Sequence, residues 1–448
     1  MTLEPYERWR RLLTTSRLFH DPRQPATKGR SDFERDHDRV VFSSAFRRLK
    51  DKTQVFPLSP SDYTRTRLTH SLEASCVGRS LGQEALLALR RAGRLSDSEP
   101  PGIATLVATA CLAHDIGNPP FGHSGEDAIR TWAASQRSSL KLAEAEQRDI
   151  EEFEGNAQGF RIMTRLSNRL RHGGIQPTLA MLGTMAKYPR PSTPARPPDD
   201  RLASEKKYGF FQDDQAAALH AFRELGMLER APGMFARHPL AFLTEAADDI
   251  CYVVMDLEDA FKLKLVSFDE ASKWLKCLTT DPKPPKGEYR ASSELSRLRA
   301  GAVHSMTMAC AKVFEQNLEA IEAGTFDTPL IAATRFAADH KALKKFEQDH
   351  VYTDERALQI EYAGYQTLGG LLTVFCEAAL ADKPTRRQEK LLRLLPDDSF
   401  DRPGVPKNDR LALTRYERVL AMTDFVSGMT DSYAVALYQK LSGIQLPA

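Results

Sequence analysis

The chain has no pair of cysteines spaced as a bridge or a metal clip. Its six cysteines (Cys76, Cys111, Cys251, Cys277, Cys310, Cys376) stand singly, mostly among apolar residues. That excludes a C-x-x-C redox or zinc motif and reads as small buried hydrophobes in a reduced protein. Long apolar runs are missing too: none approaches the roughly 20 residues that span a bilayer, and the N-terminal MTLEPYERWRRLL lacks the apolar centre of a secretory signal. A cytoplasmic protein with no membrane partner is expected. Nor does charge of one sign dominate. The 62 Lys and Arg against 60 Asp and Glu leave a net +2, so the surface as a whole does not advertise nucleic acid or lipid. Any phosphate chemistry must come from local basic residues.

Strand-like alternation is also scarce. Residues 103–114, 241–263, 301–322 and 357–382 instead place apolar side chains at helical spacing. An all-α protein is expected, with one short hairpin near 205–215. The length of 448 residues, 42% hydrophobic, gives room for a sizeable core. Two stretches rich in proline and charge, 188–207 and 279–290, read as exposed loops. A third, 93–102, separates the helix that follows His70 from the one that ends near His114.

What the chain does have is ACLAHDIGNPPFGHSGED (Ala110–Asp127), two histidines and several acids around a turn of glycine and proline. Neighbours on a helix point about 100° apart. His114 and Asp115 can therefore face one ion only where the helix ends, and Gly117, Pro119 and Pro120 end it. His70 lies in YTRTRLTHSLEAS, beside Arg65 and Arg67, where an apolar helix begins; alone it would read as a half-buried core residue. TEAADDICYVVMDLEDAF puts Asp248, Tyr252 and Asp256 on one helix face. Acids among Ala, Ile, Val and Met are costly unless paired or bound to a cation. A solvated face accounts for Asp249, Glu258 and Asp259 but not for Asp248 beside the apolar stripe. Asp249 is the alternative ligand; Asp248 is preferred because it sets Tyr252 one turn along. His70, His114, Asp115 and Asp248 form a mixed N/O set that suits Mn, Mg, Fe, Co or Ni rather than structural zinc, with positions left for water and substrate.

The order H…HD…D resembles that of the HD-domain phosphohydrolases. Further segments are similar to one branch of them, the deoxyguanosine triphosphate triphosphohydrolases: FSSAFRRLKDKTQVFP (Phe42–Pro57), TRLTHSLE, AHDIGNPPFGHSGE, FEGNAQGFRI (Phe153–Ile162), LTEAADDICY…DLEDAF and DFVSGMTDSYA (Asp424–Ala434), in the family's order over residues 42–434. The resemblance implies an HD-domain helical core with additional helices. The expected division is an N-terminal helical arm over 1–40, an HD core over 41–270 carrying the loop 188–207, and a C-terminal helical region over 271–448 that completes the site.

The implied reaction splits a deoxynucleoside triphosphate, dGTP or several, into deoxynucleoside and inorganic triphosphate, with a divalent metal, Mn or Mg foremost. The 5′ alkoxide is a poor leaving group and wants a proton donor near neutral pH. His123 is the expected one, with Glu126 three residues on to orient it; the plainer reading has Ser124–Asp127 merely capping a helix. Arg67, Lys187, Tyr188, Asn156 and Lys207 (or Lys206) are expected around phosphate and sugar, with Arg418 as a late-chain contact. Gln54 is expected on the 3′ hydroxyl, Tyr252 against the 2′ carbon, and Asp256 as support for Tyr252 or the sugar. Two alternatives are an HD phosphohydrolase acting on an alarmone or cyclic nucleotide, and a non-catalytic HD module binding nucleotide or single-stranded nucleic acid. For the latter, Arg47/Arg48 and RQPATKGRSDFERD (Arg23–Asp36) would supply a basic groove. The complete ligand set favours the enzyme, and the family implies a homo-oligomer, commonly a hexamer.

Overall fold

Thr66 begins the helix Arg67–Arg91: its backbone N–H donates to Thr69 Oγ1, and the Arg67 amide donates to the Lys52 carbonyl at 3.1 Å. The helix Ile103–Ala113 packs along it. Gly78 meets Val107 and Cys111 while Gly82 meets Ala104, so the two run antiparallel, and a Cβ on Gly82 would stand 2.8 Å from the Ala104 Cα. The computed structural model describes residues 4–19, 29–55, 64–97, 102–166, 173–193, 202–281, 290–353 and 355–445. Parts of the two proline- and charge-rich stretches (194–201, 282–289), of the segment before Gly102 (98–101) and of the basic stretch at 23–28 lie outside the described residues.

The described residues form twenty α-helices and one two-stranded antiparallel ribbon, Glu229–Ala231 with Met234–Phe235. The all-α expectation holds; the hairpin lies elsewhere than expected. It turns at Pro232–Gly233, whereas 205–215 carries short 3-10 turns at Ala203–Glu205 and Gln212–Asp214. The apolar pattern there has another cause: Phe210 enters one hydrophobic core, and Tyr208 and Phe211 enter a second.

Those two cores organise the molecule. The first gathers the Arg67 and Ile103 helices, Ala241–Lys262 and Ala291–Gln316 around Leu81, Val107, Leu243, Val254, Leu298 and Phe314, with Trp9 of the N-terminal helix inserted. The second joins Gly122–Ser135, Glu355–Leu380 and Arg415–Ser427 around Ile129, Phe153, Leu368, Phe375 and Leu420. Each fully buried side chain of this size contributes roughly 1.5–3 kcal/mol. Ile116 belongs to the first core and Phe121 to the second, so the Gly-Asn-Pro-Pro turn between them is the boundary. Fully buried Arg161 ties the halves together: Nε donates to Asp424 at 2.9 Å and Nη1 to Asp213 at 2.8 Å and Asp214 at 3.1 Å. Among the described residues, no helix is long and apolar enough to cross a membrane.

Candidate active site

The Ile103 helix ends at Ala113 with His114 as its cap, and the chain then turns through Gly117. The turn is pressed against the start of the helix Gly155–Thr164: a Cβ on Gly117 would lie 2.1 Å from both the Gly155 carbonyl oxygen and the Gly159 nitrogen, so only glycine fits. This end frees His114 and Asp115 to point the same way. His114 Nδ1 faces the Cys111 carbonyl at 2.6 Å, which makes it the protonated nitrogen. Nε2, buried and without a hydrogen bond, lies 3.5 Å from Asp115 Oδ1 and 3.4 Å from Asp248 Oδ1. His70 Nε2 lies 3.1 Å from the same Asp248 oxygen. Ligand atoms of His70, His114 and Asp115 fall within 4.8 Å of one another.

Asp248 therefore faces both imidazoles from the Ala241–Lys262 helix, while Asp249 lines the cavity near Lys187 and Glu245. An unbonded imidazole nitrogen ringed by carboxylates is the donor set a divalent cation takes. Burial alone would push the His114 imidazole down, but Asp115 and Asp248 pull it up to about 9. Burial likewise opposes ionisation of Asp115, and the guanidinium of Arg67 and the imidazole of His114 overcome it and hold the carboxyl well below its usual range. The Arg67 Nη1 donates to Asp115 Oδ2 at 2.6 Å, and the Asn118 Nδ2 donates to Oδ1, also at 2.6 Å.

Across the turn, Phe121 and Gly122 both take left-handed backbone, φ 62° and 58°. A Cβ on Gly122 would stand 2.6 Å from Arg67 Nη2, so glycine there admits the guanidinium as well as the turn. The next helix, Gly122–Ser135, carries His123 and Glu126 in its first turn. His123 is 71% exposed at its side chain, and its Nδ1 lies 2.9 Å from Oε2 of Glu126, which is 2% exposed. Oε1 of Glu126 takes the Gly155 amide at 2.7 Å. Burial would raise the Glu126 carboxyl, but the hydrogen bond from His123, with Lys207 and Arg130, holds it down to about 2. Burial beside Glu126 pushes Glu154 up to about 7, against Lys207 and Arg130.

A cavity of about 560 Å³ is lined by the residues expected from sequence except His70, Asp256, Arg418 and the alternative Lys206. His70 lies behind the wall, 1% exposed. Asp256 is also buried, and accepts from Tyr352 Oη at 2.8 Å; its reach toward the cavity is indirect, since the Tyr352 and Tyr252 rings are neighbours at 6.2 Å. Gln54 presents a buried carbonyl oxygen with no hydrogen-bond partner among the described residues. Lys187 sits 3.5 Å from Glu245 and over the Tyr188 ring. Lys207 binds Glu154 at 3.0 Å and Lys206 is exposed. The Asn156 amide approaches Glu154 at 3.4 Å.

Arg418 does not reach this cavity: its Nε donates to the Leu413 carbonyl, and Nη1 lies 3.5 Å from Asp382. Arg47 and Arg48 are exposed and donate to the Phe42 and Gly428 carbonyls. A larger cavity, about 700 Å³, lies behind the turn between Ile116, Lys52 and Tyr433 and contains none of the expected site residues. Sequence reasoning missed Asn118, Lys344, Tyr352 and Glu361, which also line the 560 Å³ cavity. Asn118 stands inside the Gly-Asn-Pro-Pro turn and could have been found there. Lys344 and Tyr352 come from the helix Ala337–His350 and its flank and Glu361 from the helix Glu355–Leu380, whose patterns show only amphipathic helices.

Comparison with known proteins bears on this geometry. The HD domain model matches residues 67–182, and the phosphohydrolase-associated domain model matches 330–440. The chain is 40% identical to a deoxyguanosinetriphosphate triphosphohydrolase-like protein of Synechocystis, over 98% of this chain and 100% of that one. It is 39% identical to a protein of the same description from Pseudomonas aeruginosa, with the same coverage. It is 32% identical to the deoxyguanosinetriphosphate triphosphohydrolase of Salmonella paratyphi A, over 92% of this chain and 94% of that one. With its imidazoles, carboxylates and flanking His123–Glu126 pair brought to one cavity, the chain belongs to the HD-domain hydrolase family of deoxyguanosinetriphosphate triphosphohydrolases and triphosphohydrolase-like proteins.

Proposed function

We propose that the protein hydrolyses deoxynucleoside triphosphates to deoxynucleoside and inorganic triphosphate with the help of a divalent cation. One observation carries the reading: the imidazole–carboxylate cluster and the His123–Glu126 pair open onto the same cavity. His70, His114, Asp115 and Asp248 would hold the cation, Mn or Mg foremost, which supplies Lewis acidity at a phosphoryl oxygen.

The chain's own residues do the rest. Glu126, kept ionised, binds the Nδ1–H of His123 and leaves Nε2 as the nitrogen that exchanges a proton with the leaving 5′ oxygen or with water. Arg67, fixed by Asp115, and Lys187 supply positive charge for the phosphates. Lys207 contributes from the His123 side, where it also offsets Glu126 and Glu154. The unpartnered Gln54 oxygen suits a 3′ hydroxyl donor. Tyr252, backed by Tyr352 and Asp256, limits the space beside the 2′ carbon.

The test is product analysis with each deoxynucleoside triphosphate and each ribonucleotide, with Mg²⁺ and Mn²⁺ in turn. Intact triphosphate is the expected product. Pyrophosphate or monophosphate, or turnover confined to cyclic or alarmone nucleotides, overturns the reading.

A further inference from the structure

The segment Ser427–Ser432 makes no contact with the cavity, yet it ties down the two loops that do. The Ser427 carbonyl accepts from Lys52 Nζ at 2.9 Å, and Ser432 Oγ donates to Asp51 at 2.9 Å. Lys52 Nζ also donates to the Asn118 carbonyl at 2.5 Å. At the centre is Asp431, 2% exposed, at the start of the helix Asp431–Leu441. Its Oδ1 accepts the Phe121 amide at 3.0 Å. Its Oδ2 accepts the Thr53 amide at 3.0 Å and the Thr53 hydroxyl as well.

Each partner adjoins a working group. Thr53 precedes Gln54, whose carbonyl oxygen waits unpartnered in the cavity wall. Phe121 stands two residues before His123, in a left-handed backbone that a bulky residue keeps only when its surroundings fix it. A buried amide left without an acceptor is unfavourable, so removing the carboxylate releases both amides at once. Among the described residues, no other acceptor holds either amide.

We infer that Asp431 is a positioning residue that sets Gln54 and His123 together, so that recognition of the sugar's 3′ end and proton transfer at its 5′ end share one carboxylate. The assignment of chemistry to Gln54 and His123 rests on the proposed function; the clamp itself does not.

Two measurements on the whole chain separate these. Amide hydrogen exchange of wild type, Asp431→Ala and Asp431→Asn reads the clamp without substrate. Asp431→Ala should speed exchange by about tenfold or more in peptides covering Thr53 and Phe121 together, with the Ile103–Ala113 helix unchanged. Asp431→Asn keeps one carbonyl acceptor and should loosen one loop only. The second measurement is the ratio of kcat/KM for a deoxynucleoside triphosphate over its 2′,3′-dideoxy analogue. In Asp431→Ala that ratio should fall about tenfold toward the value of Gln54→Ala, with metal content unchanged, which general loss of stability would not produce. Unchanged exchange at Phe121, or an unchanged ratio in an active Asp431→Ala protein, overturns the inference. A wild type that turns over no deoxynucleotide while Asp431→Ala still loosens both loops overturns the proposed function and leaves the clamp standing.

Discussion

His123 and Glu126 form a pair in which the acid is buried and the base is exposed: Nδ1 and Oε2 are 2.9 Å apart, with side-chain exposures of 71% and 2%. The second oxygen of Glu126 is occupied by the Gly155 amide. The carboxylate thus has one orientation, and it fixes the tautomer of the histidine.

Replacing His123 with Ala should lower kcat by about 10²–10⁴ while the protein keeps its metal. Glu126→Gln should lower kcat in the same range with KM little changed, because the amide can present its N–H to Nδ1 and favour the wrong tautomer. Steady-state kinetics beside metal analysis checks both, and a normal rate in either variant removes the pair from the chemistry.

Asp248 and Asp249 should behave differently. Asp248 faces both imidazoles, so Asp248→Ala is expected to lose metal and activity together, whereas Asp249→Ala should keep its metal. Asn118→Ala removes the donor that orients Asp115 and should weaken metal affinity by about 10–100-fold. Metal titration with mass-spectrometric metal counting distinguishes the three.

Asp256 gives the stability a pH dependence. Burial pushes its carboxyl from 3.8 up to about 8, with Asp259 and Asp248 adding to the rise and the Tyr352 hydroxyl and Arg65 opposing it. The folded protein therefore holds a proton that the unfolded chain gives up. This contribution to stability is fully present below about pH 4 and is lost as pH rises toward 8. Asp256→Asn keeps an acceptor for Tyr352 and cannot ionise. Its Tm relative to wild type should climb steadily between about pH 5 and about pH 8, as read by thermal melts across buffers. A constant difference would show that Asp256 does not carry the proton.

Gly117 has no room for a methyl group, since Gly155 and Gly159 already touch it. Gly117→Ala should displace the turn and lower both metal affinity and kcat. A wild-type metal isotherm in this variant would contradict the close packing.

Phe375 lies fully buried in the second core, in ring contact with Phe425 at 5.1 Å. Phe375→Ala should cost about 3–5 kcal/mol. In mild urea this variant should lose turnover at lower denaturant than it loses metal, because the imidazole–carboxylate cluster rests on the first core. Coincident loss of both would mean that the two cores unfold as one.

Much of the metal half was legible in sequence. His114 and Asp115 could be paired because Gly117 and two prolines end a helix in view, and Asp248, Tyr252 and Asp256 because helical spacing puts them on one face. The resemblance supplied His123 and Glu126, whose separation of three residues becomes the first turn of a helix. Lys344 and Tyr352 were not legible, because long-range packing alone brings the helix Ala337–His350 and the turn after it to the cavity. Spacing puts Asp256 on the helix face of Tyr252, but the Tyr352 hydroxyl that Asp256 accepts from was not legible, because it comes from a distant segment. The hairpin was misplaced because burial in two different cores gives an apolar pattern that looks like a strand.

The boundary at the Gly-Asn-Pro-Pro turn changes what counts as the catalytic part of this chain. The helices Glu355–Leu380, Arg415–Ser427 and Asp431–Leu441 carry neither an imidazole nor a carboxylate of the cation cluster, yet the core that supports His123 and the carboxylate that holds Phe121 come from them. A truncation or substitution in those helices can leave a protein that is folded, loaded with cation and silent. Damage of that kind would pass every assay of solubility and metal content and fail only at turnover.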